Sequence, residues 1–167
     1  VELSKRKAVI YTHTIEGVEI RGVSRKKIKA ISYAVPAIFA AILAWGFMQK
    51  GATTTADMMF WWFIINGTLS GLGVIVARGH PATVATAFLA APFTSLNPAI
   101  AAGWVAGYVE LKMRKPRVRD FKNLMKLKTT SDYFRNNVVR VVLIVAFANI
   151  GSTIGTFIGL PYIASLI

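Results

Sequence analysis

Apolar residues run without a clear period over about 31–48, 58–77 and 138–160. Each stretch is close to the ~20 residues that a helix needs to cross a bilayer. Tyr33, Trp45, Trp61 and Trp62 stand towards their ends, where aromatic side chains favour the membrane interface. A fourth apolar region, about 81–113, is divided. Its first part, 82–91, rises only ~15 Å as a helix, about half of a ~30 Å hydrocarbon core. Its second part, 100–113, is also too short to span. Between them lies PFTSLNPA, in which Pro92 and Pro98 lack an N–H and disfavour a preceding helical residue. Thr94, Ser95 and Asn97 offer the backbone alternative hydrogen bonds there. The pattern predicts an all-α integral membrane protein with about three full transmembrane helices plus a broken, re-entrant half-helix hairpin.

Polar segments complete the organisation. Residues 1–30 form a basic N-terminal segment, read either as a short hairpin around Glu16-Gly17 or as a linker; residues 31–167 form the transmembrane domain. The first residue is Val, so an excised or processed piece is expected, and the first 30 residues show no apolar core of a secretory signal. QKGATTTAD, 49–57, is expected as a loop. Residues 112–136 carry nine Lys and Arg, and within them Phe121, Leu124, Met125 and Lys128 have the spacing of a surface helix along the headgroups.

Charge orients these elements. The chain has 20 Lys and Arg against 7 Asp and Glu, a formal net charge of +13. The positive residues gather in two blocks beside apolar spans, the distribution of cytoplasmic loops, so a lipid bilayer is the expected partner and nucleic acid is not. If both blocks lie on one side, an even number of crossings separates them. Two spans supply that number, and 81–111 must then enter and return on the same side. The competing topology is a single bent crossing. Either way the expected location is the cell membrane, as a multi-pass protein.

Candidate chemistry is sparse. There is no cysteine, and the only histidines are His13 and His80. No catalytic constellation, metal-ligand spacing or cofactor motif is present, so no catalytic residue, metal or cofactor is assigned. Irregular backbone at membrane depth is tolerated only where it is buried in protein or lines water, so the break at Asn97 predicts a polar cavity. His80, Thr94, Ser95, Asn97, Glu110 and Arg114 are the candidate cavity-lining or substrate residues. Asn66 and Arg140 are further polar groups that should avoid lipid. Glu110 and Arg114 have i,i+4 spacing for an ion pair. Small residues four apart, Gly67 and Gly71, Gly103 and Gly107, and Gly151, Gly155 and Gly159, predict close helix packing. That packing serves the bundle itself or pairs two copies, and a homo-oligomer, a dimer first, is expected.

His80-Pro81, Ala90-Ala91-Pro92, Thr94-Ser95-Leu96-Asn97-Pro98, Gly103-Trp104-Val105-Ala106-Gly107, Glu110, Arg114-Lys115-Pro116 and Asp120-Phe121 together resemble the C-terminal membrane domain of the TraB/PrgY, or pheromone shutdown, family in its archaeal form. The resemblance is specific over 78–125 and loose over the flanking spans. It implies a membrane domain that anchors an N-terminal head similar to a TIKI-type metalloprotease and that binds or sequesters a signalling peptide. The head's GxxH motif does not occur in this chain, so its chemistry is carried over to no residue here. A head meeting an external peptide would lie outside, whereas the charge pattern puts residue 30 inside. The alternative function is a small channel or transporter built on the Asn97-Pro98 break.

Overall fold

The computed structural model describes residues 25–96 and 101–167, with side chains from residue 33 onwards. The expected hairpin around Glu16-Gly17, His13 and the Asn97-Pro98 pair lie outside the described residues. Within them every regular element is helical. They are α1 (Arg25–Val76), α2 (Pro81–Thr94), α3 (Ala102–Arg114), α4 (Val118–Lys122), a 3-10 turn (Leu124–Lys126), α5 (Thr130–Arg135) and α6 (Asn137–Ala164). Ile31–Ile167 forms one compact unit.

Helix α1 is two helices meeting at Gly51, which has φ 82° and ψ −170°, a conformation essentially reserved for glycine. The chain reverses there. The rings of Phe39 and Trp62, 23 positions apart, have centroids 4.6 Å from each other, whereas a straight helix would separate them by about 35 Å. The expected loop over 49–57 is therefore corrected to a break at a single residue. Residues 52–57 start the second arm, where the Thr55 hydroxyl donates to the Gly51 carbonyl at 3.0 Å.

The second arm packs antiparallel on both α6 and α2. Along the arm Trp62, Asn66, Leu69 and Gly73 meet Gly159, Gly155, Gly151 and Phe147 of α6, the numbers rising on one side as they fall on the other. Trp62, Gly67 and Gly71 meet Pro92, Phe88 and Val84 of α2 in the same sense. Helices α2 and α3 form an antiparallel pair, and α3 packs on α6 with Gly103 and Gly107 against Val145. The core has two centres. Val74, Ala77, Ala87, Ala106, Ile144 and Ala148 fill the end near the basic loop. Met58, Trp62 and Ile163, with Phe39, Leu43 and Leu96 against them, fill the Gly51 end.

Of the two proline expectations, only that for Pro92 falls within the described residues. Pro92 does not end its helix: α2 continues to Thr94. A proline inside a helix leaves the carbonyl four residues back without its N–H partner, here that of Phe88. Gly67 of the second arm lies against that carbonyl, so closely that a Cβ there would stand 2.6 Å from the oxygen, a spacing that suits a weak Cα–H···O contact. The Pro92 carbonyl accepts the Trp62 indole N–H at 3.1 Å. The helix pair thus turns after Thr94, and α3 begins at Ala102.

Within the basic segment, the stretch 120–134 is not the continuous surface helix expected from Phe121, Leu124, Met125 and Lys128. It is three short pieces, because local caps restart the chain. Asp120 accepts the Arg117 N–H at 2.8 Å, and Asp132 accepts the Thr129 N–H at 3.0 Å while the Thr129 hydroxyl receives Asp132 N–H in return. Asn136 then caps α6, its side-chain oxygen accepting from Val138 and Val139.

Among the described residues two helical stretches are long and apolar enough to cross a membrane: Tyr33–Val76, 44 residues of mean hydropathy 1.6, and Asn137–Ala164, 28 residues of mean hydropathy 2.1. The first contains the reversal at Gly51 and therefore both arms.

Candidate functional site

The residues expected to line one cavity fall into two groups, at opposite ends of the α2–α3 pair. The first centres on Glu110, wholly buried on α3. The chain leaves α1 through Arg78, which takes a left-handed φ of 58°, and His80 becomes the N-cap of α2, its Nδ1 accepting the Ala82 N–H at 3.2 Å. The His80 backbone N–H donates to Glu110 Oε2 at 2.9 Å and the Thr83 hydroxyl to the same oxygen at 2.6 Å. Arg114 Nε pairs with the other oxygen, and Arg114 Nη2 reaches the Arg78 carbonyl at 3.2 Å. A buried carboxylate without partners costs several kcal/mol, and here a guanidinium, a hydroxyl and the positive end of a helix all offset that cost. The arrangement locks the start of α2 to the end of α3. All of Glu110's oxygens are engaged, which suits a structural clasp better than a proton donor or a metal ligand. Among the described residues no group of three His, Cys, Asp or Glu could hold a metal ion.

The second group lies where α2 stops. Thr94, Ser95, Ala101 and Ala102 line a cavity of about 620 Å³ together with Val35 and Ile38 of the first arm and a face of α6. That face carries Asn149, Ser152, Thr153 and Thr156. They were not singled out from the sequence, although their spacing of three and four places all of them on one side of a helix. Asn149 Oδ1 accepts the Gly103 N–H at 2.7 Å, satisfying one of the donors that the start of α3 leaves open.

The hydroxyls share one feature. Thr94 donates to Ala90 O at 3.0 Å, Ser95 to Ala91 O at 2.8 Å, Thr153 to Asn149 O at 2.8 Å and Thr156 to Ser152 O at 3.0 Å. A hydroxyl has one donor and two acceptor sites, so each can spend its proton on its own helix and still accept, although Thr156 also lies 3.4 Å from Asn66 Oδ1. Ser152 is 7% exposed and makes no side-chain hydrogen bond among the described residues. No charged side chain is among the described lining residues. The lining is uncharged and rich in acceptors, and it complements N–H donors.

The glycines placed on packing faces all meet the chain's own helices: Gly67 and Gly71 meet α2, Gly103 and Gly107 meet α6, and Gly151, Gly155 and Gly159 meet the second arm. Asn66 is buried between Gly155 and Gly159, its amide donating to Trp62 O at 3.3 Å.

The family model described as TraB family protein, C-terminal domain, matches residues 27–167. An uncharacterized protein of Methanocaldococcus jannaschii is 40% identical over 100 residues, which are 59% of this chain and 25% of that protein. The matched part of the chain spans about a quarter of that archaeal relative's length. No solved structure matches. A match over most of the 167 residues shows that the chain belongs to the TraB family, as its C-terminal domain.

Proposed function

We propose that this C-terminal domain is a multi-pass integral membrane domain, which anchors a metalloprotease-like N-terminal head and holds an extended stretch of an apolar signalling peptide in the cavity at the end of α2. One observation carries the membrane part: large apolar side chains cover the outside of the bundle, while polar ones are hidden within it. Asn66, Ser70, Thr83 and Glu110 are wholly buried, while Trp45, Phe93, Trp104 and Phe157 are all more than 60% exposed. In water such an apolar surface would drive aggregation; against lipid it carries no penalty, and the polar groups are those that must be hidden.

Lengths fit the same reading. The two arms and α6 each rise more than ~30 Å, whereas α2 and α3 rise only ~20 Å. The pair then enters from the side of the basic loop and turns back inside the membrane. The bond from Trp62 to Pro92 supports this depth, since Trp62 lies ~15 Å along the arm from Gly51. Open backbone at that depth is supported by what surrounds it: the Asn149 amide, the hydroxyls of α6 and a cavity.

An extended peptide presents N–H groups at intervals, and a lining of unspent oxygen acceptors with apolar walls from Val35, Ile38 and Phe157 receives such a strand. Two copies of the domain, where they pair, meet through the outer apolar surface, since the glycine faces are filled within the chain. A channel or transporter is the second reading, favoured by the same hydroxyl-lined cavity beside a helix break.

A short uncharged apolar peptide carrying a photoreactive residue tests the proposal on the membrane-reconstituted chain. Crosslinks should map to residues 149–157 and vanish in Ser152→Phe, which fills the cavity. Crosslinks scattered over the outer surface and unchanged in that variant would remove the peptide site. Ion or solute flux through the same liposomes would replace it with the channel reading.

A further inference from the structure

The fold gathers three arginines, two of them on Phe134, at the basic end of the bundle. The Arg78 guanidinium lies over the Phe134 ring, 5.1 Å from its centroid. Arg140, on α6, donates from Nε to the Phe134 carbonyl at 2.7 Å, with Nη2 on the same oxygen. Arg114 joins them through its bond to the Arg78 carbonyl. Two separate segments therefore place their cations against one short turn, and a third places its cation on the backbone of the first.

Glu110 does not account for this gathering. Its carboxylate is paired by Arg114, and neither Arg78 nor Arg140 bonds to it. Among the described residues no carboxylate bonds to Arg78 or Arg140, so two of the three guanidinium groups have no anionic partner there. Like charges held close repel, and folding has nevertheless fixed both surplus side chains on Phe134, one by its ring and one by its carbonyl. Among the described residues the Arg78 guanidinium donates no hydrogen bond, so its fork of N–H groups is unused, and Arg140 and Arg114 each keep Nη1 free. Planar forks of this kind match the oxygens of a phosphate group.

We propose that Arg78, Arg114 and Arg140 form a binding site for a phosphate-bearing anion at the basic end of the domain. The phosphate comes from an anionic phospholipid headgroup of the bounding leaflet or from a soluble phosphate compound. The lipid source rests on the membrane reading above, since the site then lies at headgroup depth beside the basic residues of 112–136. The chemistry of the site does not depend on it.

The test is the unfolding midpoint of the detergent-purified chain, with phosphatidylglycerol, phosphatidylcholine or inorganic phosphate added. Phosphatidylglycerol should raise the midpoint by about 5 °C over phosphatidylcholine, as a ligand bound well above its Kd does. Arg78→Gln should lose most of that rise while folding normally, because its side chain holds no hydrogen bond in the fold. Lys126→Gln/Lys128→Gln removes twice as much charge, from the exposed loop, and should keep the rise. An equal rise with inorganic phosphate supports the site and assigns the anion to solution. A full rise retained in Arg78→Gln, an equal loss in the double lysine variant, or no rise with any anion would overturn the proposal. No bilayer and no peptide enter this measurement, so its failure leaves the proposed membrane function standing.

Discussion

The Thr83 hydroxyl donates to Glu110 Oε2 at 2.6 Å across 27 positions, tying the first turn of α2 to the last turn of α3. With the His80 N–H and Arg114 on the same carboxylate, this bond closes the mouth of the α2–α3 pair. Thr83→Val removes one donor of near-equal shape and should cost about 1–3 kcal/mol. Glu110→Ala leaves the Arg114 guanidinium and the start of α2 without their anion and should cost more, about 3–5 kcal/mol. Denaturation in detergent ranks the two, and a milder loss for Glu110→Ala would show that the clasp is not the main tie.

Gly51 isolates a backbone effect. Among the described residues no atom lies within 4 Å of the place a Cβ would occupy, yet φ is 82°. Gly51→Ala should therefore destabilise by about 1–3 kcal/mol through conformation alone, while Ala52→Ser, one position on, should be silent. Equal midpoints for Gly51→Ala and the unaltered chain would mean that the reversal sits elsewhere.

Gly67 and Gly71 share one face of the second arm but not one fate. A Cβ at Gly71 meets Val84 Cγ1 at 3.6 Å, an ordinary contact, whereas at Gly67 it meets the Phe88 carbonyl at 2.6 Å, which is backbone and cannot move aside. Gly71→Ala should change stability by less than about 0.5 kcal/mol; Gly67→Ala should cost about 1–3 kcal/mol. The pair of midpoints decides whether the contact that shelters the carbonyl freed by Pro92 is as close as described.

Asp132 ties α5 to pH. The Thr129 hydroxyl, then the backbone N–H groups of Thr129 and Lys128, hold its carboxyl below the usual range. A depressed folded value stabilises above the unfolded pKa of about 3.9 and is lost as pH falls through the folded value. Amide exchange over residues 130–135 should therefore keep its protection from neutral pH down to about pH 4 and lose it below. Protection that already fades above pH 5 would point to another group.

The apolar segments and the turn-back of 81–113 were readable because hydropathy and length are additive along the chain. Ten apolar residues cannot cross a bilayer wherever they sit. Pro92 was misread for the opposite reason. Whether a helix survives a proline depends on what meets the carbonyl it orphans, and that partner, Gly67, is 25 positions away. The loop expected over 49–57 shrank to Gly51 because polar Thr and Asp side chains do not by themselves end a helix, whereas a glycine with positive φ does. The α6 side of the cavity was legible in principle, as four polar residues on one helical face within an apolar span. The gathering of Arg78 and Arg140 on Phe134 was not, since no local pattern relates them.

Cysteine accessibility tests the central claim, that the α2–α3 pair enters and leaves the membrane on one side. The chain lacks cysteine, so Ala52→Cys, Ala82→Cys and Asn123→Cys each give a single labelling site at an exposed position. A membrane-impermeant reagent applied to intact cells should label Ala82→Cys and Asn123→Cys alike and Ala52→Cys oppositely, whichever way the domain faces. Opposite labelling of Ala82→Cys and Asn123→Cys would mean that the region crosses once, and the half-helix pair with its buried cavity would not exist.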